Sequence, residues 1–190
     1  MTMMNRVLWA TCLGATGLMT VAGCGKSGGS ATPAGAAAKL QCSSGKNAFD
    51  TYGTNAFVAV NERIFTNVTN ELSANGTTNL GNSFGKIGSG NPASTADNLA
   101  TFKGNLAAFL VYTYGGPSSI TYTDGVSYVG PQDMTESHLG LNITSAQYTY
   151  FVNNIVVPAL TTNGVPSGDV SSCFAPPLVD SAFIASIVGH

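Results

Sequence analysis

Apolar residues recur at three- and four-residue spacing along several stretches of this chain, and that spacing marks one face of a helix. Ala56, Phe57, Val60, Ile64 and Val68 predict an amphipathic helix over 55–71. Leu99, Phe102, Leu106, Phe109 and Leu110 form a second stripe, with capping residues at 94–97 just before it. Gly115-Gly116-Pro117 stops that helix, because glycine suits the left-handed cap and proline cannot continue the hydrogen-bond ladder. Tyr148, Phe151, Val152, Ile155 and Val156 make a third stripe. It opens at Thr144-Ser145-Ala146-Gln147, a capping-box pattern, and ends at Asn163-Gly164-Val165-Pro166. A last helical region covers 167–187, where Val179, Phe183, Ile184 and Ile187 form a stripe and Pro176-Pro177 must break or kink the helix.

Between these stripes the pattern changes. Residues 72–97 are rich in Asn, Gly, Ser and Thr and read as loop, with Phe84 and Ile87 the bulky apolar residues near the middle. Ile120, Tyr122, Val126 and Tyr128 flank Asp124-Gly125, a favoured two-residue hairpin turn, so 119–129 predicts a small β-hairpin. A short helix then carries Met134 and His138, one turn apart on one face. The expected architecture is an all-α domain of four main helices with one small inserted β-hairpin.

The amino-terminal segment follows other rules. Arg6 precedes a mostly apolar run over 7–21, shorter than the about 20 residues a membrane-spanning helix needs. It ends in small residues and reads as a secretory signal. Val21-Ala22-Gly23-Cys24 has the form of a bacterial lipobox, so residues 1–23 are expected to be a lipoprotein signal peptide and Cys24 the lipidated first residue of the mature chain. The alternative is an ordinary signal with a chance cysteine. Residues 24–39, nearly all Gly, Ala, Ser, Thr and Pro, bury too little apolar surface to offset their ordering entropy and read as a flexible tether. The folded domain is expected over 40–190, enough for one core. The chain is then exported and lipid-anchored to the cell envelope, its membrane contact made through the lipid alone. Gly25 after Cys24, where an aspartate would mark retention, favours the outer membrane.

Composition narrows the partners. Only 8% of residues are charged and the formal net charge is −2, so there is no basic patch and nucleic acid is not an expected partner. Of four cysteines, Cys12 leaves with the signal, Cys24 carries lipid, and Cys42 and Cys173 stay in the domain. Export favours disulfides, so a Cys42–Cys173 bridge is expected, with two free thiols as the alternative. No zinc-type Cys/His spacing and no CxxCH sequence occurs, and no Gly-x-Ser-x-Gly supports a hydrolase. There are two histidines, His190 at the last position and His138 in the interior.

The run Asp133-Met134-Thr135-Glu136-Ser137-His138, followed by Gly140 and Ile143-Thr144 and preceded by Gly115-Gly116-Pro117, resembles the group 1 truncated haemoglobins. So do Ala48-Phe49-Asp50-Thr51-Tyr52-Gly53, the stretch from Phe102 to Leu110, Tyr128-Val129-Gly130, and Gly164-Val165-Pro166 with Asp169. The resemblance covers roughly 48–188. It implies a two-over-two helical sandwich around haem b, with His138 as the proximal iron ligand and oxygen or another diatomic gas as the partner. Phe65, Phe84, Phe102, Leu106, Phe109, Leu110, Met134, Ile143, Tyr148 and Phe151 are the expected porphyrin contacts. Haem iron requires a neutral imidazole nitrogen, and the porphyrin an apolar slot, which these residues supply. No carboxylate flanks His138, so its orienting partner is expected to be a backbone carbonyl.

The departures lie on the ligand side. The family's distal tyrosine and glutamine match Phe65 and Leu106 here, and its gate position matches Phe102. The distal pocket is therefore expected to be apolar, with Tyr52, Lys103 and Asn105 the polar residues within about one turn of register. Losing a charge-assisted hydrogen bond costs about 1.5–3 kcal/mol, so oxygen retention is expected to be weak and carbon monoxide less affected. Gas binding is favoured over catalysis, since nitric oxide dioxygenase or peroxidase chemistry wants a polar distal group. The competing reading is a haem-free globin-like surface or interaction module on a lipid tether.

Overall fold

The computed structural model of this protein describes residues 37–84 and 99–190. The signal, Cys24, most of the tether and the predicted cap at 94–97 lie outside the described residues. The described chain is mostly helical with one two-stranded antiparallel hairpin. No helix among the described residues is long and apolar enough to cross a membrane.

Helix α1 spans Ala48–Asn75, capped by Asn47, whose side chain accepts from the Asp50 amide at 2.6 Å. It begins before the predicted 55–71 because the helix runs across a kink at Gly53, where φ is +71°, a conformation open to glycine and strained for other residues. It also runs beyond 71, so the start of the predicted loop is helical and the turn comes at Gly76, whose amide donates to the Leu72 carbonyl. Its buried face holds Phe57, Val60, Asn61, Ile64, Phe65 and Val68.

Helix α2, Leu99–Thr113, packs against α1. The residues it buries are mostly small: Gly104, Ala107, Ala108 and Val111, together with Phe109. The bulky stripe read from the sequence is only partly buried at Phe102, Leu106 and Leu110, and Leu99 is exposed. Small residues let neighbouring elements approach closely. A Cβ on Gly104 would stand 2.3 Å from the Tyr128 ring, and one on Gly130 would stand 2.7 Å from the Ala108 carbonyl oxygen.

Those neighbours belong to the hairpin, β1 (Ser119–Thr121) and β2 (Ser127–Val129), with Ile120 opposite Tyr128. Ile120 and Tyr128 are buried while their neighbours along each strand are exposed, as strand alternation requires. The loop differs from the expected two-residue turn. The Tyr122 amide donates to the Val126 carbonyl and the Gly125 amide to the Tyr122 carbonyl, so three residues, Thr123 to Gly125, make the bend. Of these only Gly125 has positive φ, +80°, whereas the two-residue type I′ turn needs it at both central positions.

Helix α3, Met134–His138, is followed by a longer helical run. This comprises α4 (Ser145–Tyr150), a wider π-helical turn (Phe151–Val156) and α5 (Val157–Thr162). The capping box is present: Thr144 Oγ1 accepts from the Gln147 amide and Gln147 Oε1 accepts from the Thr144 amide. The last region divides into α6 (Ser167–Asp169), a second π-helical turn (Val170–Phe174), α7 (Ala175–Leu178) and α8 (Ser181–Ala185). Pro176-Pro177 lies inside α7, and the break falls later, at Asp180, which caps α8. Each widened turn ends two residues before a proline, Pro158 or Pro176. A proline ring inside a helix crowds the carbonyl four residues back, and widening the turn moves that carbonyl aside.

Two apolar cores result. The larger joins α1, α2, the hairpin and residues 155–174. The smaller joins Phe109, Met134, Ile143, Tyr148, Val152, Phe183 and Ile187. Cys42 and Cys173 form a disulfide across a sequence separation of 131.

Candidate functional site

The helix that carries His138 sends one residue, Met134, into the smaller core. That helix forms because the Asp133 carboxylate accepts from the Glu136 amide at 3.1 Å and satisfies a free amide of the first turn. It ends because the chain turns sharply after His138, with Gly140 at φ +81° and Asn142 at φ +53°. Asparagine tolerates the left-handed region better than most residues. The turn returns Ile143 to the core beside Met134, and two hydrogen bonds pair 142–143 with the chain end: Asn142 amide to His190 carbonyl and Gly189 amide to Ile143 carbonyl.

The half-buried imidazole of His138 is oriented by a 2.7 Å contact between Nδ1 and the Met134 carbonyl oxygen. A carbonyl only accepts, so Nδ1 carries the proton and Nε2 keeps its lone pair. Burial lowers the His138 pKa below its ordinary value, the Met134 hydrogen bond opposes this, and nearby His190 adds to the lowering. The ring is therefore neutral at pH 7, in the tautomer that metal coordination through Nε2 requires.

Several of the sequence-predicted contacts share the smaller core with Met134. Phe109, Met134, Ile143 and Tyr148 are buried in the smaller core, with Leu106 and Leu110 packed against it. The Tyr148 hydroxyl donates to the Leu178 carbonyl at 2.7 Å, which accounts for that polar atom in an apolar place. Burial pushes its pKa well above the usual tyrosine value. Phe84 and Phe151 stack on each other at 5.1 Å and pack against the larger core instead. Phe65 meets Phe102 edge-on at 5.4 Å. Val152, Phe183 and Ile187 complete the smaller core, with Leu141, Ile184 and Val188 against it. The stripe of the last helical region carried the signal for Phe183, Ile184 and Ile187, but pattern alone did not say which core they join.

Two of the polar residues near the distal register, Tyr52 and Lys103, have partners of their own. The Tyr52 hydroxyl donates to Asp169, and Lys103 pairs with Glu62 at 2.6 Å. Phe65 and Phe102 meet outside the smaller core on which Leu106 packs, and Lys103 Nζ stands 5.3 Å from the centre of the Phe65 ring. A separate cavity of about 30 Å³ lies between α1 and residues 156–178, walled by Phe57, Ile64, Leu110, Val156 and Phe174 among others. Leu110 stands between this cavity and the smaller core.

One cluster has a metal-like donor set. Ligand atoms of Cys42, Asp169 and Cys173 lie within 4.8 Å of one another. The two sulfurs are bonded to each other, and the Asp169 carboxylate accepts from the Ser43 amide at 2.8 Å and from Tyr52. Both carboxylate oxygens are engaged and the sulfurs are tied to each other, so the cluster works as a structural clasp.

Comparison of the chain with family models, curated proteins and solved structures finds no match.

Proposed function

We propose that this protein is a haem-binding globin of the two-over-two truncated type, with His138 as proximal iron ligand and a diatomic gas as its partner. The observation that carries the reading is the state of His138: a neutral imidazole, proton fixed on Nδ1 by the Met134 carbonyl, beside an apolar core. Haem, when bound, would supply an iron with one position open to a gas. The chain's own residues supply the rest. His138 offers Nε2, Met134 fixes the ring's tautomer and angle, and Phe109, Ile143 and Tyr148 exclude water. Leu106 and Leu110, half-buried on the same core, offer apolar surface to a porphyrin.

The donors among the described residues suit that group: the interior imidazole of His138, with Cys42 and Cys173 tied in a disulfide, beside apolar side chains. Phe65 and Phe102, the residues at two of the positions matched to the distal side, are apolar, which favours storing or sensing a gas over chemistry that needs a distal proton donor. The export reading belongs to the same proposal. A lipid on Cys24 would hold the domain on the cell envelope through the tether at 24–39.

The test is an absorption spectrum of the purified protein with hemin, beside His138→Ala. The expected result is a Soret band that shifts on reduction and with carbon monoxide, and that is lost or altered in the variant. No haem uptake, or identical spectra for both proteins, would leave a haem-free helical module and overturn the reading.

A further inference from the structure

The cavity between α1 and residues 156–178 measures about 30 Å³. Both widened turns end on its wall: Val156 closes the first and Phe174 the second. Such π-helical turns are uncommon and gather at functional sites. Here they follow from the sequence, since Pro158 and Pro176 each stand two residues beyond. Rigid rings keep the space from closing. Phe57, Tyr114 and Phe174 contact one another pairwise, with ring centres 5.2 to 5.9 Å apart. Cys173, next to Phe174, is fixed by its disulfide to Cys42.

Space alone would admit a water molecule, but a buried water also needs about two to four polar partners. The polar groups of the wall are already engaged. The Tyr114 hydroxyl donates to the Phe174 carbonyl at 2.6 Å, the Tyr52 hydroxyl to Asp169, and the Asn163 side-chain amide to the Ala159 carbonyl at 2.8 Å. Between them the wall is hydrocarbon, from Val60, Ile64, Leu110, Val156 and Leu160. We propose that this cavity is a binding site for one small apolar molecule, a non-polar gas the size of dioxygen or xenon. A dry cavity of roughly 150 Å³ takes up benzene. One of about 30 Å³ excludes an aromatic ring and admits a gas. The attraction is dispersion between the guest and methyl groups that otherwise face a void. Tyr52 and Ala56 are half-buried and Asn163 is exposed, so the wall reaches the surface and offers a way in. The site does not rest on the haem reading, since neither His138 nor its helix is in the wall.

The test is methyl carbon–proton NMR of the full chain, purified without haem, under increasing xenon pressure. Methyl signals of Ile64, Leu110, Val156 and Leu160 are expected to shift and then saturate. Those of Val126 and Val129, exposed on the hairpin, should drift only slightly and in proportion to pressure. Val60→Ile adds one methylene at the wall and is expected to weaken xenon binding several-fold or abolish the saturable shift. Wall methyls that drift in proportion to pressure, as those on the hairpin do, overturn the proposal. So does a water signal that cross-relaxes with the wall methyls, because the space would then be wet. Should Val60→Ile fail to fold, Ala56→Leu at the half-buried rim decides, and saturation equal to wild type in the variant that folds overturns the proposal. Haem uptake is read separately by the Soret band, so the failure of either reading leaves the other standing.

Discussion

The Nδ1 atom of His138 sits 2.7 Å from the carbonyl oxygen of Met134, one helical turn earlier on α3. The contact lies within a five-residue helix, so the ring is oriented by the same turn that carries it. Because the acceptor is backbone, no substitution at position 134 removes it directly. The expected outcome is that long-range nitrogen–proton spectra of the metal-free protein show the Nδ1–H tautomer at pH 7. A ring protonated on Nε2, or on both nitrogens at that pH, would sink this assignment.

The disulfide between Cys42 and Cys173 joins the segment before α1 to the second π-helical turn. Closing a loop across 131 positions restricts the unfolded chain, which in the chain-entropy model contributes about 4–5 kcal/mol. Replacing both cysteines by alanine is expected to cost about 2–5 kcal/mol in urea unfolding. A reducing phosphine should lower the wild-type midpoint and leave the double variant where it is. Equal stability of the two proteins under oxidising conditions would contradict the cross-link.

Elements specified by local chemistry were legible in the sequence, and those specified by distant contacts were not. Thr144 and Gln147 announce their helix because a capping box is a three-residue device. The hairpin's place was readable from Tyr122, Asp124-Gly125 and Tyr128, but its loop length was not, since the sequence does not fix whether Asp124 adopts positive φ, and here only Gly125 does. The apolar stripe predicted a helix only from 55, yet the helix starts at Ala48 and continues across Gly53 with a kink. The π-helical turns were missed because apolar stripes say nothing of turn width. Pro158, standing inside the third stripe, was the available signal. The backbone carbonyl that orients His138 was expected, because no carboxylate flanks the ring. The assignment of Phe84 and Phe151 was not, because which core a half-buried ring joins depends on helix packing far along the chain.

Gly104 of α2 faces the ring of Tyr128 so closely that a Cβ would stand 2.3 Å from it. The ring cannot easily retreat, because its hydroxyl donates to Asp124 Oδ2 at 2.7 Å and it packs edge-on against Tyr122. Gly104→Ala would gain up to about 1 kcal/mol of helix propensity. Overpacking costs about 1–3 kcal/mol and wins here. The variant is expected to unfold at lower urea concentration, and Tyr128→Leu in the same chain should reduce the loss by making room. A Gly104→Ala protein more stable than wild type would show that the hairpin is not packed this tightly on α2.

The hydrogen bond from Tyr52 to Asp169 ties the start of α1 to α6 and gives the fold a signature at both ends of the pH scale. Hydrogen bonds from Tyr52 and then from the Ser43 amide hold the Asp169 carboxyl below its ordinary value of 3.8. Above that value both the folded and unfolded chains are ionised, and the contact contributes in full. As pH falls below it the unfolded chain takes up the proton first, so stability declines until the folded carboxyl is also protonated. Tyr52 runs the other way. Burial, then Asp169, pushes its pKa from 10.0 to about 12. The contribution is complete below 10.0 and is lost as pH rises toward 12, because the folded chain keeps a proton that the unfolded chain releases. Tyr52→Phe is therefore expected to begin acid unfolding at higher pH than wild type. At about pH 11 its phenolate absorbance should equal that of wild type, since Tyr52 would not yet have ionised in the folded protein. A wild type that shows one phenolate more than the variant at that pH would mean Tyr52 titrates normally and is not held by Asp169.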